Sequence, residues 1–178
     1  TDTKSGKMLG VNFFNASKIL PELKGQNGQV KPNEDEVAKL NDALKSAGFD
    51  ERLEVDNTPY FIVGQVTKME DAPKSSHLKI CQVDLGNGNH TQIVCGSPNV
   101  AEGIKAIVAM PGAMMPDGKI IWPGELVGVP SNGMLCGFRE LHLKNAPDKR
   151  GLFIIPDDWQ KVGEPVDFDR ANTYFPAK

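Results

Sequence analysis

Apolar and polar residues follow two different periods along this chain, and the period changes near residue 59. Upstream of that point, apolar side chains recur at helical spacing. They are Val37, Leu40, Leu44 and Ala47. Asn33 precedes them with Glu36 three positions on, which is a capping-box pattern, and Gly48 follows as a C-terminal cap. The spacing predicts one α-helix over residues 34–47.

The segment before this helix predicts one strand, over Met8–Phe14. One strand and one helix bury little surface by themselves, and the chain does not begin with Met. We therefore expect residues 1–57 to be a small α/β domain whose first strands are missing. The turn sequence Asp56-Asn57-Thr58-Pro59 marks its end.

Downstream of residue 59 the pattern changes to short strands separated by turns rich in Gly and Pro. The predicted strands cover residues 61–70, 78–85, 90–94, 104–110, 119–122 and 151–155. Residues 86–89, Gly-Asn-Gly-Asn, predict a hairpin turn. Gly64, inside the first strand, predicts a bulge or a sharp bend. This pattern is typical of a small closed or sandwich β fold.

Composition and charge narrow the range of functions. Apolar residues make up 39% of the chain, which is enough for a packed core. A membrane-spanning helix needs about 20 consecutive apolar residues, and no apolar run in this sequence approaches that length. Three widely spaced cysteines fit a reduced, cytoplasmic protein. The formal net charge is -3, although residues 59–155 alone carry +1. A strongly basic nucleic-acid binder is excluded, so RNA binding would depend on a local patch and weaken with salt.

The sequence carries no pattern of a catalytic or metal site. It has no Gly-x-x-x-x-Gly-Lys-Ser/Thr loop for phosphate and no Gly-x-Ser-x-Gly turn for a nucleophile. The three histidines, His77, His90 and His142, lack the spacing of metal ligands. We therefore expect a non-catalytic protein with no cofactor and no metal.

Seven short blocks between residues 61 and 144 carry the most specific signal. They are Val63-Gly64, Ser76-His77-Leu78, Val83 to Gly86, Ile93 to Gly96 with Asn99, Val108-Ala109 with Gly112-Ala113, Ser131 to Cys136, and Glu140-Leu141. Their order resembles the tRNA-binding domain family, which includes the N-terminal region of the phenylalanyl-tRNA synthetase β chain. Gly10 to Ser17 and Ala47 to Phe49 resemble its stand-alone YtpR-type branch, in which a small α/β domain precedes the tRNA-binding domain.

The resemblance implies a mainly β fold, a five-stranded OB barrel over residues 58–168, with residues 169–178 as a C-terminal tail. It also implies RNA binding on the barrel face and adjacent loops. Such a site needs cations for phosphate, polar groups for sugars and bases, and apolar surface for contact with the bases. The candidate residues are Lys74, Ser76, His77, Lys79, Asn99, Ser131, Asn132, Met134 and Arg139.

Two positions depart from the family pattern, and both weaken the phosphate contacts that it implies. His77 stands where a Lys is usual, and Val127 stands where a basic residue is usual. One hypothesis is therefore a non-catalytic protein that binds structured tRNA. A second is an interaction module with the same barrel that docks on an aminoacyl-tRNA synthetase or the ribosome. A third, a general binder of single strands or oligosaccharides, is disfavoured because aromatic residues make up only 7% of the chain.

Overall fold

A computed structural model of the chain describes residues 2–25 and 30–177. The chain divides into two compact units, Thr1–Thr58 and Pro59–Lys178. Among the residues described, none of the helices combines the length and the apolar character that crossing a membrane requires.

The first unit contains one α-helix, α1 (Glu34–Ser46). The Asn33 side chain accepts a hydrogen bond from the Glu36 N–H at 3.0 Å, and the Glu36 carboxylate accepts one from the Asn33 N–H at 2.8 Å. Two otherwise unpaired N–H groups at the start of the helix are thereby satisfied. At the other end Gly48 adopts a left-handed φ of 86°. The predicted helix and both of its caps are confirmed.

The strand expected over Met8–Phe14 does not form, so that prediction is wrong. Leu9 is 73% exposed and Phe14 is 87% exposed. Within residues 2–25 and 30–58 this segment has no strand to pair with, and it leads into two short 3-10 helices, Ala16–Lys18 and Pro21–Leu23. A strand needs a neighbour that satisfies its backbone groups and covers its apolar face. The described part of this unit supplies neither, and it is helical rather than α/β.

The second unit is mainly β. Its strands are β1 (Phe61–Asp71), β2 (Lys79–Asp84), β3 (His90–Cys95), β4 (Lys105–Ala109), β5 (Gly124–Leu126), β6 (Val129–Ser131), β7 (Met134–Leu135) and β8 (Ile154–Ile155). The main sheet is antiparallel in the order β3-β2-β1-β4-β7, with β8 beside β4, while β5 and β6 form a hairpin. The Asn132 N–H donates to the Gln92 carbonyl at 2.9 Å, which joins the turn between β6 and β7 to β3. The result is a nearly closed five-stranded barrel, which confirms the predicted fold class.

Gly64 allows β1 to pack closely against its neighbours. A Cβ atom at this position would lie 2.5 Å from Val108 Cγ2 and 2.8 Å from Val83 Cγ1, closer than real Cβ contacts allow. The irregularity of β1 lies elsewhere, between Val66 and Lys68. The glycine is therefore explained by packing in the core, and the prediction of a bulge at Gly64 is wrong by a few residues.

Two predicted strands are shorter in the structure than the pattern suggests. Residues 119–122 contribute one bridge, between Met114 and Ile120. Pro123 follows directly and has no N–H to extend a ladder. Residues 151–155 reduce to β8, the two residues Ile154–Ile155, preceded by a bridge from Leu152.

The C-terminal segment packs onto the barrel. A short helix, α2 (Phe168–Thr173), follows the last strand and buries Ala171. Tyr174 and Phe175 then meet Phe153 edge to face, with ring centroids 5.2 Å and 6.0 Å apart. Such aromatic pairs add to the free energy gained from burial. The residues that the sequence separated as a tail therefore complete the core.

Candidate nucleic-acid interface

One pocket of about 410 Å³ opens on the second unit, and we call it the Trp122 pocket. Its walls are residues 94–97 at the end of β3, residues 119–122 and 124–126, residues 150–152, and Ser131, Gly133, Met134, Leu135, Gly137 and Glu140. Four separate stretches of the chain therefore meet here. The volume lies in the range of about 300–1,000 Å³ that is usual for small-molecule sites.

The Ser-Asn-Gly-Met segment forms the turn between β6 and β7 and one side of the pocket. Ser131 is buried, and its Oγ accepts a hydrogen bond from the Val94 N–H at 3.0 Å. Gly133 has a φ of 127°, and a Cβ atom there would lie 2.9 Å from the Ala109 carbonyl oxygen. Only glycine fits that conformation and that space. Met134 pairs with Ala109 and is half-buried in the pocket wall.

Glu140 brings a carboxylate to the pocket. The carboxylate lies directly over Gly137, where a Cβ atom would collide with Glu140 Oε2. The described residues offer this carboxylate no hydrogen bond and no ion pair. Burial and, to a smaller extent, the negative charge of Glu140 raise the pKa of the Cys136 thiol to about 12. The Glu140 carboxylate thus lines the pocket and also acts electrostatically on the buried Cys136 thiol.

Positive charge gathers where β3 ends. Arg150 Nη2 donates to the Gly96 carbonyl at 3.3 Å, and no carboxylate in the described part of the chain lies within 4.0 Å of its guanidinium. A Cβ atom on Gly96 would be 3.8 Å from His77 Cδ2, so His77 is at the same place. Lys79 pairs with Cys95 in the sheet. Lys119 also lines the pocket.

The nine residues expected to contact RNA have different environments, and two of them, Ser131 and Met134, line the pocket. Lys74, Ser76 and His77 are exposed in the turn between β1 and β2. The Asn132 side chain is exposed in the turn between β6 and β7. Lys79 forms an ion pair with Asp71, and Arg139 forms one with Asp148 at 3.4 Å.

Asn99 holds two loops together. Its Oδ1 accepts hydrogen bonds from the Leu152 N–H at 2.7 Å and from Ser97 Oγ at 2.9 Å. Its Nδ2 donates to the Leu152 carbonyl at 3.1 Å. These bonds fix two of the segments that form the pocket walls. Asn99 therefore supports the pocket walls although it does not itself line the pocket.

The pocket residues that were absent from the expected site include Lys119, Trp122, Glu140 and Arg150. Glu140 belongs to one of the sequence blocks, which was the only signal available for it. Trp122 is 68% exposed, which is unusual for so large an apolar side chain. The sequence could not reveal that exposure, because it shows neither burial nor which distant loops meet. No group of His, Cys, Asp or Glu in residues 2–25 and 30–177 is arranged to hold a metal ion.

Residues 61–164 match the family model described as "Putative tRNA binding domain". The chain belongs to the tRNA-binding domain family. All the walls of the Trp122 pocket fall within the part that matches this family. Residues 1–56 match a second model, described as "Domain of unknown function (DUF4479)".

Relatives of this tRNA-binding domain protein include stand-alone chains and parts of longer ones. The "Putative tRNA-binding protein YtpR" of Bacillus subtilis (strain 168) is 42% identical over 94% of this chain and 81% of its own length. The phenylalanine–tRNA ligase β subunit of Nitratidesulfovibrio vulgaris is 37% identical over 78% of this chain, which spans only 18% of that subunit. A solved structure, the MetRS related protein from Pyrococcus horikoshii, is 29% identical over 60% of this chain and 87% of its own, with a TM-score of 0.44.

Proposed function

We propose that this protein binds tRNA without catalysing a reaction on it, and that the RNA contacts the Trp122 pocket and the cations around it. The observation that carries the proposal is the position of the pocket. Its walls include Ser131, Gly133, Met134 and Leu135 of the most specific sequence block, inside the region that matches the tRNA-binding domain family. We place this activity in the cytoplasm.

The charge distribution supports contact at a local patch. The whole chain carries a formal -3, so it repels a polyanion at long range. Arg150 and Lys119 are in no ion pair of the described residues and can meet phosphate directly. Lys79 and Arg139 are in ion pairs with exposed carboxylates. Such pairs contribute only about 0–1 kcal/mol, so a phosphate can replace the carboxylate at small cost.

A salt-titrated tRNA binding series tests the proposal. Arg150→Ala and Lys119→Ala should each weaken binding and lower the slope of log K against log salt by about one unit, because each removes one phosphate contact. The matched control is Lys161→Ala. Lys161 lies two residues from Gly163, which packs against Gly86 at the far end of the β2–β3 hairpin. If Lys161→Ala weakens binding as much as Arg150→Ala, contact is diffuse and the pocket is not the interface.

The absence of catalysis is tested separately. The unmodified chain should show no tRNA-dependent ATP hydrolysis and no deacylation of aminoacyl-tRNA above a buffer control. Turnover that a point substitution in this chain abolishes would overturn this part of the proposal.

Exposed apolar residues favour a second candidate function, docking on a protein such as an aminoacyl-tRNA synthetase or the ribosome. Leu126 and Val127 are exposed on the β5–β6 hairpin, near exposed Trp122 and Ile120 in sequence. Apolar surface of this kind often marks a protein contact. A pull-down from lysate after nuclease treatment distinguishes the two functions, because a partner held through RNA is lost and a directly docked protein is kept.

A further inference from the structure

We propose that the Trp122 pocket receives one unpaired guanine nucleotide. This inference rests on the proposed RNA binding and names the base that the pocket selects. RNA-binding proteins commonly read single unstacked bases by stacking on a side chain and by hydrogen bonds to the base edge. The pocket offers both, together with cations for the attached phosphates.

Glu140 is the group that reads the base. An ionised carboxylate has two acceptor oxygens and no donor, so it matches an edge with two neighbouring N–H donors. Guanine has that edge, formed by N1–H and the N2 amino group. Adenine and cytosine place a ring acceptor beside their amino group, and uracil places its single N–H between two carbonyls. Each of those three bases would point at least one acceptor at the carboxylate.

Glu140 is exposed, and its carboxylate can reach a ligand in the pocket. A Cβ atom on residue 137 would collide with the Gly151 carbonyl oxygen as well as with Glu140 Oε2, so the carboxylate lies close to the Gly137 backbone in the pocket wall. None of the described residues hydrogen-bonds or pairs with the carboxylate. It therefore stays available for an incoming donor pair.

Trp122 supplies the surface on which the base stacks. The residue is 68% exposed, and its ring makes no ring contact with another described aromatic residue. Ile120 and Leu126 line the same wall, and Met134 lies in the pocket as well. Stacking of a base on an aromatic ring contributes about 1–3 kcal/mol and does not depend on which base is bound. Trp122 thus contributes affinity for any base, whereas Glu140 provides the selectivity for guanine.

The charges in the pocket set the direction of the nucleotide. Glu125 and Glu140 are acidic lining residues, while Arg150 and Lys119 are basic ones. Phosphate is repelled by the two carboxylates and attracted by the two cations. The base edge is therefore directed to Glu140 and the phosphates to the cations, an arrangement that a neutral apolar ligand would not exploit.

The test uses the full chain and single-stranded pentaribonucleotides with one variable base, UUGUU, UUIUU, UUAUU and UUCUU. Inosine keeps N1–H but lacks the N2 amino group, so it removes only one of the two proposed bonds. UUGUU should bind about tenfold more tightly than UUIUU, within the discrimination usual for a two-bond base contact. Binding should quench tryptophan fluorescence in the unmodified chain and lose most of that quench in Trp122→Leu, since Trp159 lies outside the pocket.

Variants then assign the preference to Glu140. Glu140→Gln replaces one of the two acceptor oxygens with a donor and should reduce the difference between UUGUU and UUIUU. Asp158→Asn also removes one exposed negative charge and should keep that difference. Equal binding of UUGUU and UUIUU by the unmodified chain would overturn the inference without any variant, as would unchanged preference in a folded Glu140→Gln.

Parallel titration with total tRNA separates this inference from the function on which it rests. If tRNA binds but the pentamers show no preference for guanine, the inference fails and the proposed function stands. If the chain prefers UUGUU but does not bind tRNA, the pocket is supported and the tRNA-binding proposal fails. An apolar peptide that binds in the Trp122 pocket, where none of the pentamers binds, would overturn the inference in favour of a protein partner.

Discussion

At the scale of single residues, Val127 is in an unfavourable backbone conformation. It has a φ of 50° and Gly128 has a φ of 79°, and together they form the two-residue turn between β5 and β6. Both central residues of such a turn need positive φ, which Asn and Gly adopt easily. A β-branched side chain with positive φ is strained by about 1–3 kcal/mol.

Val127→Asn should therefore stabilise the second unit by about 1 kcal/mol, since Asn tolerates the left-handed conformation. The measurement is the urea midpoint of the full chain. Val127→Thr is the matched control, because Thr is also β-branched and should bring no gain. A gain of the same size in Val127→Thr would show that side-chain polarity, and not backbone strain, is responsible.

Ser131 combines a structural role with its expected role in RNA binding. Its Oγ is the acceptor for the buried Val94 N–H. Ser131→Ala should lower the free energy of unfolding by about 1–3 kcal/mol, because that N–H is left without a partner. Asn132→Ala, one residue away with an exposed side chain, should change it little. Unfolding in urea checks both, and equal loss in the two variants would contradict the assigned role of the Ser131 hydroxyl.

The residues of the site were only partly predictable. The Ser131 to Cys136 block identified the β6–β7 turn. The turn requires a serine that bonds to the Val94 N–H and a glycine with positive φ, and both residue types are visible in the sequence. Lys79 and Arg139 were chosen for their charge, and the sequence could not show that Asp71 and Asp148 pair with them. Arg150 was missed because it comes to Gly96 from 54 residues away.

At the scale of elements, the local sequence pattern correctly predicted those elements that depend on their own residues or on the next element along the chain. The capping box specified α1, and the Gly-rich turn at 86–89 specified the β2–β3 hairpin. The strand over Met8–Phe14 was wrong because a strand depends on a partner elsewhere. The sequence also underestimated the C-terminal segment, since aromatic contacts to Phe153 over about twenty residues are not visible as a local pattern.

Removal of residues 169–178 tests the importance of that segment. The deletion removes Ala171 and Phe175 from the core and takes away the rings of Tyr174 and Phe175 that contact Phe153. Loss of buried Ala171 and of these aromatic contacts to Phe153 should lower the free energy of unfolding by about 3 kcal/mol or more. Removing Lys178 alone is the control and should leave the urea midpoint unchanged. A full deletion with an unchanged midpoint would mean that the segment is not part of the core.

At the scale of the whole molecule, the two units differ in charge and in their expected part in binding. Residues 1–58 carry 8 basic and 10 acidic side chains, whereas residues 59–178 carry 12 basic and 13 acidic ones. Among the described residues, the members of the barrel's hydrophobic clusters come from residues 60–175. A core that is complete within one stretch of chain can fold without the rest.

We therefore predict that a fragment of residues 59–178 unfolds cooperatively in urea and binds tRNA at least as tightly as the full chain. Removing the first unit takes away a formal charge of -2 and so reduces repulsion of the polyanion. The salt slope should stay the same, because the phosphate contacts assigned to Arg150 and Lys119 remain. Unfolding curves establish that the fragment is folded before salt-titrated binding of tRNA to both chains is compared. A folded fragment with a lower slope would place phosphate contacts in the first unit and contradict binding through the barrel alone.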